Sequence, residues 1–173
     1  MTCQDNEILL NNTLIQMSCS FLQYVSESWP WVRLEATSIE EQVRVLAARQ
    51  RQDVGEIVSL LTAREYHIDF GSFPTEYTDQ QFLGLNVLIG RLRNSQKRIC
   101  DRISLGVTSL ESAGDSEASQ MLRVVGQYEA DILKALGEIE QELQPAPAKA
   151  LSSRVSARVA ASTLTGDEQQ AAR

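Results

Sequence analysis

Four polar side chains occupy positions where a helical repeat of apolar residues calls for a hydrophobic one. Gln50 and Asp53 interrupt one repeat, Gln96 interrupts another, and Tyr128 lies within a third. A buried polar group without a hydrogen bond costs about 1–3 kcal/mol. We therefore predict that these four side chains, with Gln23 as a further candidate, form a hydrogen-bonded layer inside the protein that sets the register of its helices. The alternatives are a remnant of a lost metal site and a working site with unusual ligands.

Carboxylates are the main residues here that could bind a metal ion. Glu27, Asp53, Glu56 and Glu129 are the candidates, and their hard oxygen atoms suit iron or manganese. The chain has one histidine, His67, and no Glu-x-x-His motif. We predict no cofactor, with bound iron or manganese as the alternative.

Other catalytic chemistries find little support in the residues. Cys3, Cys19 and Cys100 are an odd number at no metal-ligand spacing, which is typical of reduced thiols in a cytoplasmic protein. The sequence contains no phosphate-binding glycine loop and no recognisable pair of nucleophile and base. These features favour a non-enzymatic protein.

The overall charge limits the partners. The net charge is −7, and an acidic chain is repelled by nucleic-acid phosphates and anionic lipids. No apolar run approaches the ~18 residues that a membrane span requires, and the N-terminus lacks the basic start of a signal peptide. We expect a cytoplasmic protein that does not bind membranes. Nucleic-acid binding is disfavoured and would require the arginines of residues 145–173 to overcome the acidic body of the protein.

Apolar residues recur at steps of three and four along four stretches, which predicts four helices. The first covers residues 5–28 and ends before Pro30, and the second runs from Ser38 to about residue 64. The third begins at a capping pattern at Thr78 and ends near Gly114, and the fourth covers residues 115–143. None of these amphipathic helices is stable alone in water, so we predict a four-helix bundle over residues 1–144.

Residues 145–173 have a different composition. This stretch begins with two prolines, is rich in Ala and Ser, and contains no aromatic residue. We predict a disordered or loosely helical tail. Leu151, Val155 and Val159 lie at helical spacing, so a segment that binds a protein partner is the alternative.

The connections constrain the order of the helices. The short link between the third and fourth helices predicts antiparallel neighbours. The link between the second and third helices spans roughly 36 Å when extended, so it allows a lengthwise crossover or a hairpin. Sequence reasoning leaves this choice open.

The third and fourth helices, with their GDSEASQMLRVVGQYEADILKAL junction, resemble half of a ferritin-like protein, and EYHIDFGSFPTEY resembles another stretch of that superfamily. The nearest similarity is to the mini-ferritins that protect DNA in starved bacteria. The resemblance implies an all-α four-helix bundle with one long crossover, an oligomeric assembly and a link to iron.

The metal ligands of those families are missing from this chain. Ferritin-like di-iron sites use two Glu residues and two Glu-x-x-His motifs. Here Gln50 to Asp53 and Tyr128 to Asp131 occupy the matching places, and the mini-ferritin histidine on the first helix is absent. We therefore predict a ferritin-like bundle with an absent or degenerate metal site, which acts in assembly or partner binding. The alternative is an iron-oxidising or iron-storing protein with non-standard carboxylate ligands.

Overall fold

The computed structural model describes residues 3–29, 37–80 and 83–143, and the regular structure within these ranges is entirely helical. The α-helices are α1 (Cys3–Ser18), α2 (Phe21–Glu27), α3 (Thr37–Ala63), α4 (Leu85–Ser112) and α5 (Ser116–Leu143), with a 3₁₀ helix at Thr75–Gln80. α1 and α2 together form the first arm of an all-α four-helix fold. The predicted tail at residues 145–173 lies outside the described residues. No helix in the described part of the chain has the length and apolar character needed to cross a membrane.

The first predicted helix is interrupted at residues 19 and 20. Ser20 has an extended backbone (φ −68, ψ 158), and its hydroxyl accepts a hydrogen bond from the backbone N–H of Gln23. A serine in this position satisfies an amide that the first turn of α2 leaves unpaired. The apolar stripe continues across the break, so periodicity alone predicted one helix where the structure has two.

The predicted start of the third helix at Thr78 was wrong. Thr78 lies in the 3₁₀ helix, where its hydroxyl donates to the carbonyl oxygen of Thr75 over 2.7 Å. That local bond uses the hydroxyl that would have capped an α-helix. α4 begins at Leu85 instead, after Gly84.

A tight turn joins α4 to α5. Gly114 has φ +76, and the N–H groups of Gly114 and Asp115 donate to the carbonyl oxygens of Glu111 and Leu110, both over 3.0 Å. This is the pattern of a glycine-terminated helix. It makes α4 and α5 antiparallel neighbours, as the short connection predicts.

One end of the bundle is held together by Arg64. Its guanidinium donates to both carboxylate oxygens of Asp115, over 2.6 and 2.9 Å, and to Glu7 over 3.4 Å. The start of α1, the end of α3 and the α4–α5 turn therefore meet at this end. Because α3 and α4 both end here, they run in the same direction, and the chain between them must return along the length of the bundle.

The connection from α3 to α4 crosses along the first arm. The backbone N–H of Asp69 donates to the Asn11 side chain, the Phe70 carbonyl accepts from Ser18, and the Tyr77 ring lies 5.0 Å from that of Phe21. The structure thus has the lengthwise crossover rather than the hairpin.

The hydrophobic core consists of two clusters. The cluster near Arg64 includes Leu14, Ile57, Ile103 and Leu122, and the cluster at the opposite end includes Val43, Leu92 and Leu136. The residues between them are polar, and they form the candidate site.

Candidate functional site

A layer of buried polar side chains separates the two apolar clusters. The helix break at Ser20 brings Ser20 and Gln23 into the core, where they meet Gln50 of α3, Gln96 of α4 and Glu129 of α5. All five side chains are buried. Every arm of the bundle therefore contributes to one central site.

Hydrogen bonds connect this layer from the first arm to α5. Ser20 Oγ and Gln23 Nε2 both donate to Gln50 Oε1, over 2.6 and 3.1 Å. Gln50 Nε2 in turn donates to Glu129 Oε2 over 2.8 Å and to Gln96 Oε1 over 3.2 Å. Gln96 Nε2 donates to Glu129 Oε2 over 2.5 Å and to the Glu129 backbone carbonyl over 3.0 Å. Both glutamine amides thus direct N–H groups at a single carboxyl group.

Glu129 is completely buried, and its Oε1 has no hydrogen-bond partner. Burial raises the pKa of its carboxyl from 4.5 to about 7, with a smaller contribution from the negative charge of Asp53, although the hydrogen bonds from Gln96 and Gln50 act in the opposite direction. The Glu129 carboxyl group therefore changes its protonation state near neutral pH.

A second buried carboxyl lies beside the first. Asp53 is 2% exposed, and its Oδ1 is 3.4 Å from Arg49 Nη2, whereas its Oδ2 has no hydrogen-bond partner. Burial raises the pKa of Asp53 to about 6, and Arg49 opposes that rise. The Arg49 guanidinium also lies 3.6 Å from the centre of the Tyr128 ring, which is a cation–π contact.

The structure brings most of the predicted polar layer together and corrects one member. Gln50, Asp53 and Gln96 are buried, and Gln23 joins them. Tyr128 is 40% exposed, because its ring lies at the surface under Arg49. Glu129 takes the core position, four residues after Val125 and three before Ile132. That spacing is helical, so the same periodicity could have identified it.

The structure places Asp53 close to Glu129 and to Glu56, but it does not gather all four candidate metal ligands. Glu27 is exposed and lies 3.9 Å from Arg51, and Glu56 is exposed on α3, whereas Asp53 and Glu129 are buried. In residues 3–29, 37–80 and 83–143, no group of three or more His, Cys, Asp or Glu side chains could hold a metal ion.

Cys100, a partly buried free cysteine, lies beside the layer. Burial, followed by the negative charges of Glu129 and Asp101, raises the pKa of the Cys100 thiol to about 11. A thiol must ionise to act as a nucleophile. Cys100 therefore stays protonated at neutral pH and is not a candidate for covalent catalysis.

An open cleft of about 520 Å³ runs between α3 and α5, next to the polar layer. α3 contributes Arg49, Asp53 and Glu56, and α5 contributes Met121, Val124 and Tyr128. One wall is thus charged and the other mostly apolar. Asp53 lines the cleft and lies beside Glu129 of the buried layer.

A comparison with known proteins found no matching family model, and none of the curated proteins matched the sequence.

Proposed function

We propose that this chain is a ferritin-like, non-enzymatic four-helix bundle with a degenerate central site, and that it acts in assembly or partner binding. Its topology supports the ferritin-like part of the proposal. α3 and α4 run in the same direction and are joined by one long crossover, which is the connection that distinguishes ferritin-like bundles from simple up-and-down bundles.

The arrangement of Gln50 and Gln96 around Glu129 carries the proposal. Both amide nitrogens donate hydrogen bonds to Glu129 Oε2. An amide N–H is a donor with no lone pair to offer a metal ion. Ferritin-like di-iron sites place carboxylate or imidazole ligands in the core. This chain instead places two amides around Glu129, and their hydrogen bonds occupy its Oε2.

The second candidate is an iron-oxidising or iron-storing protein that uses Glu27, Asp53, Glu56 and Glu129. One observation favours it: Glu129 Oε1 and Asp53 Oδ2 are buried oxygen atoms without hydrogen-bond partners. Two such oxygens could bind a metal ion if other ligands moved toward them. Glu27 and Glu56, which are both exposed, are the candidates for that movement.

The deciding experiment measures metal content and iron oxidation in the purified full chain. Elemental analysis is performed on the protein as isolated and after incubation with ferrous iron. The rate of iron oxidation in air is compared with that of a buffer blank. We expect no stoichiometric iron or manganese and no oxidation above the blank. Bound metal that disappears in a Glu129→Gln variant would overturn the scaffold proposal in favour of the iron enzyme.

A double variant provides the matched positive control. Gln50→Glu with Gln96→Glu adds two carboxylates beside Glu129 and restores hard oxygen ligands. We expect this variant to bind ferrous iron more strongly than the wild-type chain. If the wild type and the double variant bind iron equally, amide substitution is not what disables the site.

The assembly part of the proposal needs a separate measurement. We propose a homo-oligomer in the cytoplasm, with residues 145–173 as a binding segment for a protein partner. Sedimentation velocity over a hundredfold range of concentration should show a species larger than one chain. A monomer at every concentration would leave partner binding as the only role of the scaffold.

A further inference from the structure

The cleft between α3 and α5 carries a net negative charge. Within the described part of the chain, the charged residues that line the cleft are Arg49, Asp53 and Glu56. One positive and two negative groups leave one uncompensated carboxylate. This net negative charge attracts a cationic ligand.

The buried carboxylate in this lining is incompletely paired. Asp53 has only a long contact of 3.4 Å with Arg49, and its Oδ2 has no hydrogen-bond partner. An unpaired oxygen on a buried carboxylate is costly, and a donor from a ligand would remove that cost. The side chain of Arg49 is 39% exposed, so it can move toward solvent and admit such a donor.

Arg49 itself shows what kind of group the cleft accepts. Its guanidinium lies between a carboxylate, Asp53, and the face of an aromatic ring, Tyr128. Carboxylates and aromatic faces are the two surfaces that attract organic cations. Next to them, Met121 and Val124 provide an apolar wall, and 44% of Val124 is exposed.

We propose that this cleft binds a small amphiphilic amine, with its protonated amino group on Asp53 and its hydrocarbon body against Val124 and Met121. Arg49 is the resident cation that the ligand displaces. The cleft has the volume of a small-molecule site, which typically spans roughly 300–1,000 Å³. The cleft shares Asp53 and Glu56 with the iron-binding alternative, so an iron ion bound there would compete with the amine.

The test is an NMR titration of the ¹⁵N-labelled full chain with phenethylammonium chloride at pH 7.5 and constant ionic strength. 2-Phenylethanol is the matched probe, because it has the same body with a hydroxyl in place of the charge. We expect saturable shifts at the amides of residues 49–56 and 121–128, and at least tenfold weaker binding of the alcohol. Equal binding of both probes, or shifts spread over the whole chain, would overturn the proposal.

Three variants locate the site. Asp53→Asn should weaken amine binding at least tenfold, whereas Glu138→Gln, which removes one negative charge from the α4–α5 surface, should leave it unchanged. Arg49→Gln should strengthen binding several-fold, because it removes the competing cation. If Asp53→Asn fails to fold, Arg49→Gln decides the question, since unchanged or weaker binding in that variant contradicts displacement of Arg49.

Discussion

Gln50 on α3 donates a hydrogen bond of 2.8 Å to the fully buried carboxyl of Glu129 on α5, 79 residues later in the chain. Gln96 on α4 donates to the same oxygen atom. Three arms of the bundle are thus connected through one titratable group. This arrangement can be tested by measuring the stability of the protein as well as its metal content.

The stability of the protein should decrease as the pH rises from 5 to 8. The pKa of Glu129 is about 7 in the folded state against 4.5 ordinarily, so between these values the folded chain holds a proton that the unfolded chain has released. Stability then falls with pH by on the order of 2–3 kcal/mol before levelling off. Asp53, with a pKa raised to about 6, acts in the same direction.

Urea unfolding at pH 5, 6, 7 and 8 measures this effect. Glu129→Gln cannot ionise, so it should flatten most of the profile and be the more stable protein at pH 8. Glu138→Gln, at an exposed site, should retain the wild-type profile. A wild-type chain that gains stability between pH 5 and pH 8 would contradict the buried, protonated state of Glu129.

Arg64→Ala should destabilise the chain by about 2–4 kcal/mol, because it leaves the largely buried carboxylate of Asp115 without its cation. Urea unfolding measures the loss. Arg44→Ala is the control, since Arg44 pairs with Glu40 at the surface of one helix and should cost under about 0.5 kcal/mol. Similar losses in the two variants would show that Arg64 does not hold the end of the bundle together.

The same cluster predicts sensitivity to strong acid. Hydrogen bonds from Arg64 hold the pKa of Asp115 below its usual range. This stabilisation is present above the ordinary pKa of an aspartate and is lost as the pH falls through the lowered value. Thermal melts from pH 5 to pH 2 should show a drop that Arg64→Ala largely lacks. Parallel profiles for the two proteins would argue against the ion pair.

Ser20→Ala should cost about 1–2 kcal/mol, because it removes the cap of α2 and one donor to Gln50. Chemical unfolding measures this loss of stability. Ser59→Ala is the matched control, since Ser59 is exposed within α3 and its hydroxyl bonds only to the preceding turn. We expect the control to be neutral. A neutral Ser20→Ala would mean that the break between α1 and α2 does not depend on this hydroxyl.

Gly71→Ala should destabilise the crossover by roughly 2–3 kcal/mol. Gly71 has φ +67, and a β-carbon there would lie 2.6 Å from Ile15 Cγ2 of α1. Gly55→Ala on α3 meets no atom within 4 Å and should stabilise the protein by about 0.5–1 kcal/mol. Calorimetric melting of both variants measures this difference in stability. If the Gly71→Ala variant were as stable as the wild type, the crossover would have to lie farther from α1.

Sequence reasoning identified the polar layer but not all of its members. Gln50, Asp53 and Gln96 stood out because they are polar within apolar repeats. Tyr128 was chosen over Glu129 because a tyrosine fits an apolar stripe and a glutamate usually faces solvent. Glu129 takes the buried position because it accepts hydrogen bonds from Gln50 of α3 and Gln96 of α4, and the sequence of α5 alone does not reveal these partners.

The start of α4 was misplaced and the break at Ser20 was missed for a related reason. Thr78 and Ser20 are both residues that favour helix starts, and each forms a hydrogen bond to a nearby backbone group. Only one of those bonds caps an α-helix. The residue types show that Ser20 and Thr78 favour helix starts. Whether each hydroxyl caps an α-helix depends on the local backbone geometry, which is set by packing of the crossover against the first arm.

The amino-acid sequence by itself determined the all-helical fold, the approximate extent of its long helices and the presence of polar groups in the core, because helical periodicity is a local property of the chain. The tertiary structure alone decided that the connection after α3 crosses over, that Glu129 is the carboxyl at the centre, and that Asp53 borders a cleft. Each of these depends on contacts between residues far apart in sequence, whose geometry is set only when the four arms pack together.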